Sequence, residues 1–116
     1  MNTPPTGYQM PQIVADLIAH AEAHGWATAV QWRTACDDAP YVIVDIARRR
    51  TPQEAAEHRA NPFYYSLTWH SRGCAPGRLR RFGAGIARTP ERRRYHDAPS
   101  VRAIREVITA NSALTR

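Results

Sequence analysis

Apolar and polar positions change period several times along this chain, and each change marks an element. Ile13, Val14, Leu17, Ile18 and Ala21 recur at helical spacing. Pro11 suits the first turn of that helix and Gly25 its end. The period then drops to two: Trp26, Thr28, Val30 and Trp32 alternate with Ala27, Ala29, Gln31 and Arg33, the pattern of a strand with one large face. A turn over residues 34–40, with Asp37, Asp38 and Pro40, leads into residues 41–47, which are β-branched and apolar on both faces and so predict a central strand. Thr51, Pro52, Gln53 and Glu54 form a capping box, which predicts a short helix to about Arg59 that buries little beyond Ala55, Ala56 and Ala60 before Pro62 stops it.

The cleanest alternation follows. Phe63, Tyr65, Leu67 and Trp69 form a core-facing set, and Tyr64, Ser66, Thr68, His70 and Arg72 an opposite one. After a turn at Gly73, Pro76 and Gly77, residues 78–87 read as a strand, but Leu79 and Phe82 cannot share a face without a bulge near Gly83 or Gly85. Residues 92–96 predict a short strand at the sheet edge. In the last helix, capped by Asp97 or Ser100, Val101, Ile104, Val107 and Ile108 fall on one face, and the helix ends near Asn111. All three tryptophans fall on apolar sets, with room for one to be partly exposed at an open sheet face. The expected fold is α+β: an antiparallel sheet of four to five strands with N- and C-terminal helices packed on one face, over a single domain of residues 10–111 between a flexible tail (1–9) and a frayed end (112–116).

Composition narrows the class. Hydrophobic residues at 43% and charged residues at 22% fit a globular domain rather than a disordered one. Apolar runs fall far short of the roughly 20 residues that cross a bilayer, and residues 1–9 have neither the basic start nor the apolar core of a secretory signal. A cytoplasmic protein with no membrane partner is the expectation, and two sparse cysteines, Cys36 and Cys74, are expected to be reduced. Every basic residue is arginine. A high-GC genome would favour this, and the absence of lysine excludes the standard phosphate-binding loop and Schiff-base chemistry.

Charge changes the picture most. Residues 78–94 hold seven arginines against one acid, a net +6 that equals the charge of the whole chain. The positive charge is therefore local and points to an anionic partner. Arg72, Arg78, Arg80, Arg81, Arg88, Arg92, Arg93 and Arg94 are the candidate phosphate contacts, with Tyr64, His70 and Tyr95 as stacking or hydrogen-bonding neighbours. The expected function is a small non-enzymatic module that binds nucleic acid, DNA or RNA, mainly through the backbone. The alternative is a phage- or element-encoded protein whose basic face docks on an acidic host protein. Homodimerisation through the edge strand at 92–96 is a third reading, and a solvated, aggregation-blocking edge is the plainest one. Arg48, Arg49 and Arg50 extend the patch only if they neighbour it.

Other chemistry is less well supported. His70, Cys74, His96 and a remote Cys36 are the residues with metal-binding side chains, but they lack the paired spacing of structural zinc sites, and no metal or cofactor is expected. Cys74 with His70 or His96 and Asp97 has the residue types of a triad without a nucleophile elbow, so no catalytic residue is assigned. Asp37 and Asp38 read as turn formers.

The order helix, strands, helix, with a basic hairpin before the last helix, resembles the double-stranded-RNA-binding domain. Residues 63–111, basic strands followed by Ser100, Val101, Arg102, Ala103, Ile104, Arg105, Glu106 and Val107, resemble the three-stranded arm-binding domain of tyrosine integrases. The size, the alanine and arginine bias and the arginine-rich end also resemble small uncharacterised proteins of high-GC bacteria, their phages and mobile elements, which implies a context rather than an activity.

Overall fold

The computed structural model describes residues 3–48, 63–81, 86–88, 95–97 and 100–113. Helix α1 (Gln12–Ala23) leads into strands β1 (Ala27–Thr34), β2 (Pro40–Ala47), β3 (Tyr64–His70) and β4 (Arg80–Arg81), then β5 (Ile86–Arg88), β6 (Tyr95–Asp97) and helix α2 (Val101–Ala110). The first four strands form one antiparallel sheet in the order β1-β2-β3-β4. Both helices contribute to the single core on one face of that sheet, so the fold is α+β with the terminal helices together.

Alternation sets the faces. Thr28, Val30 and Trp32 lie opposite Ile46, Val44 and Val42, which in turn lie opposite Tyr65, Leu67 and Trp69. Val42, Val44, Ile46 and Leu67 are completely buried, together with Val14, Leu17 and Ala21 of α1 and Ile104 and Ile108 of α2. Trp26, Trp32 and Trp69 are buried as well, so none of the three is available on the open face. The inner face holds enough apolar area to take all three indoles, and Trp26 finds a partner for its polar edge there: Nε1 donates to the Asn111 carbonyl at 3.0 Å.

Both helices have identifiable stops. Pro11 is the N-cap of α1 rather than a first-turn residue, and its carbonyl accepts from the Val14 and Ala15 amides. At the other end Gly25 adopts φ +79 while Gly25 N–H donates to Glu22 and Trp26 N–H to Ala21. This is a Schellman motif, with Trp26 and Ala21 in its apolar contact. Ser100 caps α2, its hydroxyl accepting from Ala103 N–H at 3.1 Å. Asn111 closes it. The Ala113 amide donates to the His24 carbonyl at 2.9 Å, which ties the ends of the two helices together.

The basic segment departs from expectation. One strand over residues 78–87 gives way to two short ones: β4 makes only the pairs His70↔Arg80 and Trp69↔Arg81. β5 contacts β3 but pairs with β6 in a separate two-stranded sheet. The edge strand expected over 92–96 is thus β6, which begins at Tyr95 and belongs to this ribbon rather than to the main sheet. The expected bulge and the helix over residues 51–59 lie outside the described residues. No helix among the described residues is long and apolar enough to cross a membrane.

Leu67 is the inward residue of β3 that meets Val44 at the centre of the sheet. Leu67→Ala is expected to cost about 2–5 kcal/mol of stability, read as a lowered midpoint in urea denaturation.

Candidate nucleic-acid interface

The same alternation that buries Trp32, Val42 and Trp69 turns their neighbours to the other side. Arg33 lies opposite Tyr41, Tyr41 opposite His70, and His70 opposite Arg80. The register therefore lays Arg33, Tyr41, His70 and Arg80 in one row across all four strands, on the face opposite the two described helices. With neighbouring strands about 4.8 Å apart, the row spans about 14 Å between its outer backbones. The Tyr41 and His70 rings are parallel within 6° at 5.3 Å between centroids, an offset stack. Both residues are partly exposed, and the flanking arginines are exposed.

Two turns hold this end of the sheet. In the β1–β2 turn Asp38 takes a positive φ of 61, tolerated by aspartate, and Asp37 accepts from the Ala39 amide at 3.3 Å. In the β3–β4 turn the Ser71 hydroxyl and amide both donate to the Pro40 carbonyl, at 2.6 Å and 3.1 Å. Arg72 Nε donates to Asp37 Oδ2 at 2.8 Å and joins one turn to the other. The Arg72 amide also donates to His70 Nδ1 at 2.8 Å, which in the neutral imidazole leaves the proton on Nε2. Gly73, at φ +75, leaves room for Arg80, since a methyl group there would lie 3.2 Å from Arg80 Nη2.

The structure divides the residues expected to bind. Arg80 joins the row. Its neighbour Arg81 points to the helix side, where its guanidinium lies 5.9 Å from the Trp69 ring and desolvation lowers its pKa. Arg72 is exposed but bridged to Asp37, and Arg78 is exposed beside the N-terminal residues 7–12. Arg88 and Tyr95 are cross-strand partners in the β5–β6 ribbon. Arg92, Arg93 and Arg94 lie outside the described residues. Tyr64 shares the open face with His70 but sits opposite Ala47, about 20 Å along β3. The aromatic partner of His70 is therefore Tyr41.

Tyr41 and Arg33 are the residues that sequence reasoning missed. The signal was present: Trp32 inward implies Arg33 outward, and a turn over 34–40 sets Arg33 against Tyr41. Reading residues 41–47 as apolar on both faces hid it. Asp45 belongs to the open face too, between Ala29 and Ser66, with a buried Oδ1 that has no hydrogen-bond partner. Positive character on the described part of this face is thus concentrated at the turn end. Arg48 lies elsewhere, its guanidinium 4.5 Å from the Phe63 ring.

Beside this end of the sheet, Cys74 Sγ donates to the His70 carbonyl at 3.6 Å. Among the described residues no three His, Cys, Asp or Glu side chains converge on a point. Compared with known proteins, the chain matches no family model, no curated protein and no solved structure.

The Asp37–Arg72 bridge has a readable titration. The hydrogen bond from Arg72, and to a lesser degree the Ala39 amide, holds the Asp37 carboxyl below the ordinary carboxylate range. Its contribution is present above the unfolded pKa and is lost as pH falls through the lower folded one. In a carbon-detected NMR titration Asp37 is expected to titrate below the usual value of 3.8, and Arg72→Ala to return it towards that value.

Proposed function

We propose that the protein is a non-enzymatic nucleic-acid-binding module that holds its ligand mainly by the phosphate backbone. The observation that carries this is the register of β4. By pairing with His70 on the face opposite α1 and α2, Arg80 seats the start of the arginine-rich segment in the same cross-strand row as Arg33, at the turn end of the sheet. The segment that begins there, residues 78–94, carries a net +6 in sequence, and such a concentration of positive charge favours a chain of phosphates. Guanidinium groups suit phosphate because their planar donors meet its oxygens in pairs. In sequence Arg78 precedes Arg80, and Arg88 with the run at Arg92, Arg93 and Arg94 continues the same charge, Arg88 pairing with Tyr95 across the β5–β6 ribbon.

Affinity of this kind falls with salt. With five or so phosphates neutralised, log K on duplex DNA is expected to fall against log salt with a slope of roughly −4 to −5. Anisotropy of labelled duplex and single-stranded DNA and RNA over a salt series measures it. Changing Arg92, Arg93 and Arg94 together to alanine is expected to flatten the duplex slope by roughly 3, and Arg80→Ala by about 1. Arg81→Gln, on the opposite face, is expected to leave it unchanged. Binding without a salt slope sinks the reading. Absence of binding at physiological salt would assign the arginines to an acidic protein partner, to be sought by pull-down.

A further inference from the structure

We infer that the row Arg33, Tyr41, His70 and Arg80 is a binding site for unpaired bases, so that the ligand is single-stranded nucleic acid: bases stack on the Tyr41–His70 pair while Arg33 and Arg80 take phosphates on either side. This rests on the nucleic-acid reading above and narrows its substrate class.

The geometry separates a single strand from a duplex. In a duplex both faces of each base are covered by its neighbours, and a protein meets only base edges and phosphates. Paired aromatic rings offer little to such a ligand. A single strand presents base faces, and stacking on aromatic side chains is the usual means of holding one. Here the rings are already parallel, 5.3 Å apart, and carried on the two central strands of the sheet. Their position is fixed before any ligand arrives, which lowers the entropy lost on binding.

The polar groups around the rings suit the same ligand. The Arg72 amide donates to Nδ1 of His70, which fixes the orientation of the imidazole beside Tyr41. Arg72 is bridged to Asp37, whereas the exposed Arg33, whose Nη2 donates to Gln31 Oε1 at 3.2 Å, and the exposed Arg80 stand at the register positions on either side of the rings. They stand on the outer strands, about 14 Å apart at the backbone. That spacing brackets the aromatic pair, so a strand crossing the sheet passes a cation, two rings and a second cation in turn. Asp45, further along β2 on the same face, disfavours phosphate there and keeps the path at the turn end.

The test uses the full chain, with labelled oligothymidylate and oligouridylate single strands and a blunt duplex of equal length as probes. Tyr41→Leu keeps an apolar side chain on β2 but removes the ring, and Tyr41→Phe keeps the ring. Stacking is insensitive to salt, so Tyr41→Leu is expected to weaken single-strand binding about tenfold without changing the salt slope, while Tyr41→Phe stays within about twofold of wild type. Duplex binding is expected to be unaffected by either. Arg33→Gln is expected to flatten the single-strand slope by about 0.7. Circular dichroism and the thermal midpoint establish that the variants are folded. Independently of any variant, ultraviolet crosslinking of the wild-type protein to iodouracil-substituted single strands is expected to give adducts at Tyr41 or His70, located by mass spectrometry.

Equal losses on single strand and duplex, no loss in Tyr41→Leu, or adducts confined to other residues would overturn the stacking site while leaving phosphate binding in place. If no probe binds at low salt, the nucleic-acid reading itself fails. The two single-stranded probes also tell whether the sugar matters: a large preference for one assigns the ligand to DNA or to RNA.

Discussion

Val42, Val44 and Ile46, alternate residues of β2, are shut from water by two helices that come from opposite ends of the chain. This one-sided burial fixes the register, because a slip of one residue in either neighbouring strand would bring Gln31 or Thr68 inward in place of Trp32 or Trp69. The helices hold the arrangement through their own ends. Trp26 donates to the Asn111 carbonyl and the Ala113 amide to the His24 carbonyl, so the start of β1 and the end of α2 are tied across the core.

The open face is set by the same burial. Once Trp32, Val42 and Trp69 face the helices, Arg33, Tyr41 and His70 must face away, and antiparallel pairing puts them side by side. No further interaction is needed to bring them together. The turns then restrict their movement: Ser71 on the Pro40 carbonyl and Arg72 on Asp37 close the two loops against each other. A row of side chains on paired strands with braced turns is better ordered than one on a free loop.

One residue type has several fates here, and charge counting cannot separate them. Arg80 and Arg81 are adjacent, yet one lies on the open face and the other against Trp69. Arg48 stacks on Phe63, and Arg72 is held by Asp37. The charge of residues 78–94 says that an anion is favoured nearby; the register determines which described arginines can meet it. The position of Arg81 against Trp69 and the bridge from Arg72 to Asp37 both direct positive charge away from the anion-facing surface that a simple sum would assign it to.

From its sequence alone this chain determined its two terminal helices, the three long strands, the Ser100 cap, the Gly25 stop and the α+β layering, because each follows from local periodicity or from the chemistry of a single residue. It also located the excess charge. The sequence left undecided that His70 stacks on Tyr41 rather than Tyr64, that Arg33 belongs with Arg80, and that the basic hairpin breaks into β4 and a separate β5–β6 ribbon. Those facts depend on which residues of distant strands lie opposite one another. Cross-strand register is settled by burying a shared core and closing particular turns, and it brings together residues, such as Arg33 and Arg80, that no local pattern connects.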